Sequence, residues 1–474
     1  MGYGSRKVIP LHGAFQNRKY GIFQVLYSLS ELWGEYLSKK EEFFPDCCCD
    51  KKLHIARIYD ILRIIIECWK RRRILKSRNV FTYCLCATVF GCAILNATQG
   101  AFLTSFIEQY SLLSTAQGAN SSALNFGQAA MLLILFFQAG RVPKTTLLSF
   151  WLIILVGVIF VIGITPPFVV LVIMYGLIGL AFGAISPLTS SLVADMYEGA
   201  DKTTYISRLN GFFGLGGLLA PIFFKAMFDI GAHWTVSIRI TLGIYAVTLI
   251  PYFLFMRTSI KSIDLPKDSD RRVSFGDIKG FVTSGSGTLL TLSSFFYGAH
   301  QHTLSVWIIR YVSVFLNSPA HGAFSLSLFW AGTTISRLFM HKLPSSPVKL
   351  IFIGNCASAA VMIAGILSRS PMLMTICVFA AGLLSGATVP VLVAAGCQES
   401  SSNTILPTNT LLLSMFVASS ICLLLVGGLV AYTTMGSAIL LSAISALLSG
   451  VFVQCYRRRK SCNKSKERDQ ACGR

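Results

Sequence analysis

Three consecutive residues, His300, Gln301 and His302, lie in the middle of a long apolar stretch and carry the sharpest chemical signal in the chain. An imidazole titrates near neutral pH and could pass a proton, while Gln301 and the nearby Trp307 could hold a polyol by hydrogen bonding and stacking. Adjacent helical residues point in different directions, so at most two of the three line one cavity. Asn96 with Gln99, and Asn125 with Gln128, are each three apart, so each pair shares a helix face. Either pair could bind sugar hydroxyls or tie two helices together. Arg239 has no acidic partner in its own stretch and would suit an organic anion. The candidate substrate-binding set is therefore Asn96, Gln99, Asn125, Gln128, Arg239, His300, Gln301 and Trp307, with His300 and His302 as proton-coupling candidates.

The segments that position these residues number about twelve, each of near-bilayer length, between Phe81 and Gln454. A helix crosses the hydrocarbon core with roughly 20 apolar residues, and an isolated polar group there is costly unless paired or wetted. The spans run about Val80 to Ile107, Ala123 to Gln138, Thr145 to Ile164, Phe168 to Leu192, Ile206 to Phe228 and Val236 to Phe255. After a polar stretch come Gly287 to Ile309, Phe324 to Met340, Leu350 to Leu367, Met372 to Ala395, Thr408 to Ala431 and Gly436 to Cys455. At 54% hydrophobic, 13% charged and mean hydropathy +0.64, the chain is too apolar for a soluble domain.

Lys and Arg fall in alternate gaps, and short basic loops stay cytoplasmic. One set of gaps carries Arg141 and Lys144, Lys202 and Arg208, the central Lys261, Lys267, Arg271 and Arg272, then Arg337, Lys342 and Lys349. The other set is nearly free of basic residues, with Arg310 and Arg369 at its edges. Both termini are expected on the cytoplasmic side. The gap from Cys397 to Pro407 breaks the trend, with Glu399 and no basic residue. This pattern also explains the formal charge of +21 without a nucleic-acid partner.

The expected organisation is a basic tail over 1–79, a six-helix bundle over 80–256, a linker over 257–285, a second bundle over 286–456 and a basic tail over 457–474. The first tail ends in an amphipathic stripe, Ile55, Ile58, Leu62, Ile65 and Trp69, and holds Cys47, Cys48 and Cys49, which have no partner motif for zinc. None of the 14 cysteines lies in an external gap, so free thiols are expected. Nothing resembles a nucleotide loop, a nucleophile elbow or a zinc-protease motif, so neither an enzyme nor a cofactor is expected.

Six spans, a cytoplasmic linker and six more spans is the layout of the major facilitator superfamily. Specific segments strengthen the resemblance. Gly176, Gly179, Gly183 and Pro187 resemble its Gly-rich fourth span, and Gly211, Gly214, Gly216, Gly217 and Pro221 its glycine-proline fifth span. Phe296-Tyr297-Gly298-Ala299-His300 and Phe329-Trp330-Ala331-Gly332 through Arg337 look like the fucose:proton symporter branch, in which Glu commonly stands at the place of His300. The signature between the second and third spans survives as Gly140, Arg141 and Lys144, without its acidic member. The resemblance implies an all-α integral membrane protein of about twelve transmembrane helices in two pseudo-symmetric bundles, with Gly140, Arg141, Pro187, Gly214, Gly217, Pro221 and Arg337 in gating. It implies a monomeric secondary transporter of a small polar solute, such as a sugar, with protons as a candidate coupling partner, in a plasma or bacterial inner membrane. No carboxylate lies mid-span, so coupling through His, a facilitator, an organic-anion exchanger anchored on Arg239, and a non-transporting receptor or scaffold all stay open.

A membrane-impermeant thiol reagent applied to intact cells should label little. Strong labelling would reverse the topology.

Overall fold

The computed structural model describes residues 78–138, 142–258, 274–339, 346–400 and 405–472. The first tail with its stripe and three cysteines, Gly140, Arg141, and the linker residues Lys261, Lys267, Arg271 and Arg272 lie outside the described residues. The chain separates into two units, Met1–Val80 and Phe81–Arg474, and the second contains the helices that hold the candidate site.

All regular structure among the described residues is helical. In chain order the helices are α1 (Arg78–Ala101), α2 (Leu103–Tyr110), α3 (Ala119–Gln138), α4 (Lys144–Gly163), α5 (Phe168–Met196), α6 (Gly199–Asp229) and α7 (Trp234–Thr258). The second half runs α8 (Phe275–Thr283), α9 (Gly285–Arg310), α10 (Pro319–Phe339), α11 (Pro347–Ser368), α12 (Pro371–Ser385), α13 (Thr388–Glu399), α14 (Ile405–Tyr432) and α15 (Met435–Cys472). Ser274 starts α8 with a capping box to Asp277.

Ten spans among the described residues are long and apolar enough to cross a membrane, with α12 and α13 counted as one. The helices α9 and α10, read from sequence as the seventh and eighth spans, have the length but not the apolarity. Their polar residues have inward work: Ser293, Ser294, His300, Gln301, His302 and Thr303 are all buried on α9. A helix in a bundle can be less apolar than its lipid-facing neighbours because protein, not hydrocarbon, surrounds it.

Two helix pairs at related places in the two halves come close through missing Cβ atoms. On α3 and α5, a Cβ on Gly179 would strike the backbone of Leu124 and come within 3.0 Å of Gly127 Cα. On α10 and α12, a Cβ on Gly382 would strike the backbone of Phe329, and one on Gly332 would lie 2.7 Å from Leu383 N. Without a hydrophobic drive between helices in lipid, such close packing is a main source of association.

The break between α12 and α13 is fastened by α10. Arg337 Nε donates to Gly386 O at 3.1 Å and Ala387 N donates to Ser336 Oγ at 3.2 Å. The far end of α13 is tied to α15, because Glu399 accepts from Tyr456 at 2.8 Å and pairs with Lys460 at 3.2 Å. The acidic residue that departs from the charge pattern is thus matched by a cation of the terminal tail.

Gly179→Val forces α3 and α5 apart. A loss of about 1–3 kcal/mol is expected, read as a lower melting temperature and lower folded yield in detergent. An unchanged melting temperature would show that the pair is not closely packed.

Candidate functional site

A cavity of about 550 Å³ lies between the two halves. Its polar wall is built by Asn96 of α1, Gln128 of α3, Asn210 of α6, Gln301 and His302 of α9, and Arg337 of α10. Aromatic rings, Phe182, Phe213, Trp330 and Phe416, supply much of the rest. Phe213 and Trp330 meet across the two halves edge to face, with centroids 6.0 Å apart. Among the described residues no Asp or Glu lines the cavity, and Arg337 is the one Lys or Arg that does.

Backbone contact seals one end. On α1, a Cβ at Gly100 would run into Ser305 O of α9, and one at Gly118, just before α3, would run into Leu423 O of α14. Leu103 of α2 is fully buried in a cluster with Leu304, Trp307 and Ile308 of α9. Toward the other end, which carries Lys144, Arg257, Lys349 and Arg457, the wall continues through Ser207, Val393 and Thr408. There α6 and α10 touch where Gly214 faces Thr334 and Gly217 faces the Trp330 ring.

The candidate residues divide by position. Asn96, Gln128, Gln301 and His302 share the cavity. Gln99 is buried next to it and bonds Asn96 Oδ1 through Nε2 at 2.8 Å, while Asn125 donates to Ser121 O at 2.8 Å. Both lie on the sealed side of the cavity. Trp307 is buried in the apolar cluster of the second half, away from the cavity wall. Pro187 of α5 lines the cavity, and Pro221 stands inside α6.

His300 points away from the cavity. Its Nδ1 lies 3.1 Å from Ser442 O and 2.9 Å from Ser442 Oγ on α15, and Ser442 Oγ donates to His300 O at 3.0 Å. A carbonyl only accepts, so Nδ1 carries the hydrogen and Nε2 is left as an acceptor for Ser385 or Ser358, at 3.4 and 3.5 Å. His302 is anchored on the opposite side by Nδ1, 2.8 Å from Ser419 Oγ and 3.2 Å from Gly298 O, while the residue also lines the cavity. Of the two imidazoles, His302 is the one that meets the central space.

Arg239 lies elsewhere. It is exposed on α7 near the sealed end and donates from Nε to Gly163 O at 3.0 Å, closing the C-terminus of α4. Asp229, at the end of α6, pairs with Lys225 at 2.6 Å. Sequence reasoning missed Asn210 and the aromatic wall, because single polar or aromatic residues in an apolar span carry no signal of which way they face.

Several polar atoms around the cavity are buried and have no protein partner: Oε1 of Gln128, Gln301 and Gln99, and Oδ1 of Asn125. Each such group costs about 1–3 kcal/mol, which folding alone does not repay. Two of them, on Gln128 and Gln301, belong to side chains that line the cavity.

Residues 84–401 match the model of the Major Facilitator Superfamily. The chain belongs to that superfamily. Membership places it among secondary transporters in a membrane rather than among enzymes. Comparison with curated proteins gives no match. Among solved structures, a bacterial homologue of the human lysosomal transporter Spinster, inward-facing and occupied, aligns with TM-score 0.60 and 13% identity over 80% of this chain and 96% of that one. The fucose:proton symporter of E. coli aligns with TM-score 0.57 and 15% identity over 80% and 99%. An outward-facing structure of the fucose symporter aligns with TM-score 0.58 at 15% identity, again over 80% and 99%. At these identities the likeness is one of fold, and it spans the whole transporter core.

His300→Ala removes a fully buried ring and strips Ser442 of its partner. A loss of about 2–4 kcal/mol is expected, read as a fall in melting temperature in detergent. His300→Asn keeps a donor toward Ser442 and should recover part of it. Equal melting temperatures for all three proteins would place His300 outside any stabilising network.

Proposed function

We propose that this protein moves a small polar solute, neutral or anionic, by rocking its two bundles around the central cavity. The observation that carries the reading is the pair of amide side chains, Gln128 and Gln301, one from each half, that line a shared cavity while their buried oxygens have no protein partner until a side-chain rotation turns them toward a solute. A solute that donates hydrogen bonds to both gains contacts that neither bundle can make alone.

The absence of an acidic side chain among the described residues of the wall argues against a cation, for which desolvation would go uncompensated. Hydroxyl donors beside the Trp330 and Phe213 rings suit a sugar, and the fold likeness to a fucose symporter makes sugars the first class to try. An organic anion would be held by Arg337 rather than Arg239, since only Arg337 reaches the cavity. Any coupled proton would be exchanged at His302.

The sealed half supports two-state behaviour. Gln99, Gln117, Asn120 and Asn125 each bury an unpartnered polar atom there. Parting the bundles at that end would wet these groups and recover part of the contact free energy lost at Gly100 and Gly118. Two states of similar free energy are what alternating access requires. The basic end is assigned to the cytoplasm, with both termini there.

The test is uptake into liposomes of labelled sugars, organic acids and nucleosides, with and without a proton gradient. Gln128→Leu and Gln301→Leu should each lower uptake at least about tenfold while the melting temperature holds or rises, because an orphan acceptor is replaced by an apolar group of similar size. Uptake unchanged in both variants would remove the amides from the pathway. No flux of any compound would favour the receptor reading.

A further inference from the structure

A second groove lies on the outer face of the first half, between α4 and α7. Ala246, Ile250, Phe253, Leu254 and Arg257 recur along α7 at three- and four-residue steps, so they form one stripe. Val156 of α4 faces them, and together they enclose about 420 Å³. The stripe is open: Ile250 is 53% and Leu254 58% exposed. A Cβ on Gly157 of α4 or Gly243 of α7 would meet nothing within 4 Å.

The frame around the groove is fixed at both ends. Arg239 of α7 holds Gly163 O of α4 at the sealed end, and Tyr252 of α7 lies 3.0 Å from Ser149 Oγ and donates to Thr145 O at 3.3 Å at the basic end. Between these ties the two helices stay apart where small residues leave room. Ala246 to Arg257 spans about 16 Å at 1.5 Å per residue, and one leaflet of hydrocarbon is about 15 Å thick. The groove therefore covers one leaflet and ends in a cation at its headgroup level.

We propose that this groove binds one anionic phospholipid from the leaflet at the basic end, with an acyl chain along Ala246 to Leu254 and its phosphate on the Arg257 guanidinium. Hydrocarbon is the surrounding medium, so the apolar part takes a chain without desolvation cost. The planar guanidinium matches two phosphate oxygens. A partner helix would run through both leaflets, whereas this groove stops at the midplane.

Native mass spectrometry of the detergent-purified full chain, titrated with phosphatidylglycerol, phosphatidylcholine or water-soluble glycerol phosphate, tests the assignment. One phosphatidylglycerol should be retained in preference to phosphatidylcholine, and glycerol phosphate should not bind. Arg257→Gln should weaken phosphatidylglycerol about fivefold, the equivalent of one basic contact at a membrane surface, and Arg257→Lys should keep most of the affinity. Ala246→Trp, at an exposed position, should abolish the preference, and Ile222→Trp on the lipid face of α6 should leave it intact. Retention of phosphatidylglycerol unchanged in both Arg257→Gln and Ala246→Trp, equal retention of the two lipids by the unaltered protein, or capture of glycerol phosphate alone would each overturn the proposal.

Discussion

A hydrogen-bonding group inside hydrocarbon must find a partner or meet water, and most of this architecture follows from how that demand is met. Around the helix break of the second half the answer is closure. Ser293 bonds Ser449, Asn355 donates to Ser449 at 3.2 Å, Thr388 donates to Asn355 at 3.0 Å, and His300 lies between Ser442 and the Ser358 and Ser385 hydroxyls. These residues belong to α9, α11, α12, α13 and α15. They knit the bundle around the break at Gly386 and Ala387, where a helix leaves backbone groups unmatched. Between the halves the answer is different, since amide oxygens there are left without protein partners. One rule thus gives a hydrogen-bonded network around the helix break, with Tyr297, Trp307, Ser327 and Thr333 nearby still without a partner, and a cavity wall whose amides call for a solute or water.

The sequence made the spans legible because a bilayer demands both length and apolarity, and the alternation of Lys and Arg separated one end from the other. Family membership was legible for a different reason: Gly179 and Gly183 lie where the backbone of α3 comes within contact, and Gly214 and Gly217 lie against the Thr334 and Trp330 side chains, so a larger residue at any of them would crowd its neighbour. Which polar residues share a cavity was less legible. His300 and His302 are two apart on one helix, yet one bonds α15 and the other α14 and the cavity. That choice depends on which helices pack on each side of α9, a tertiary fact that spacing does not hold. Asn96 and Gln99 share a face as expected, but only Asn96 reaches the cavity, since Gln99 lies one turn nearer the seal.

Arg239 shows the same lesson with charge. An unpaired arginine in an apolar stretch suggests an anion site, but a guanidinium can also satisfy orphan carbonyls where a helix ends. Here Gly163 O supplies the partner, and the exposed side chain stands within the first two turns of α7, from where its remaining donors can snorkel toward the helix end. The arginine that does line the cavity, Arg337, is itself committed by Nε to Gly386 O. It therefore couples the cavity wall to the helix break on α12 and α13, and the Val389, Pro390 and Val393 side chains of α13 continue that wall toward the basic end.

That coupling bears on how a wall of so few charges can respond to a solute. On the function proposed above, a donor-rich solute held between Gln128 and Gln301 would draw the halves together, because its best contacts need both amides at once. The halves already touch at Gly214 and Gly217 on one side of the cavity and at Gly100 and Gly118 on the sealed end. Such contacts are short-ranged, since a gap of about 0.5–1 Å forfeits a quarter to a half of their attraction. The seal therefore weakens steeply once the halves begin to part. A solute worth only a few kcal/mol suffices to choose between sealed and open states, since the orphan groups of the sealed half already offset part of the cost of opening it.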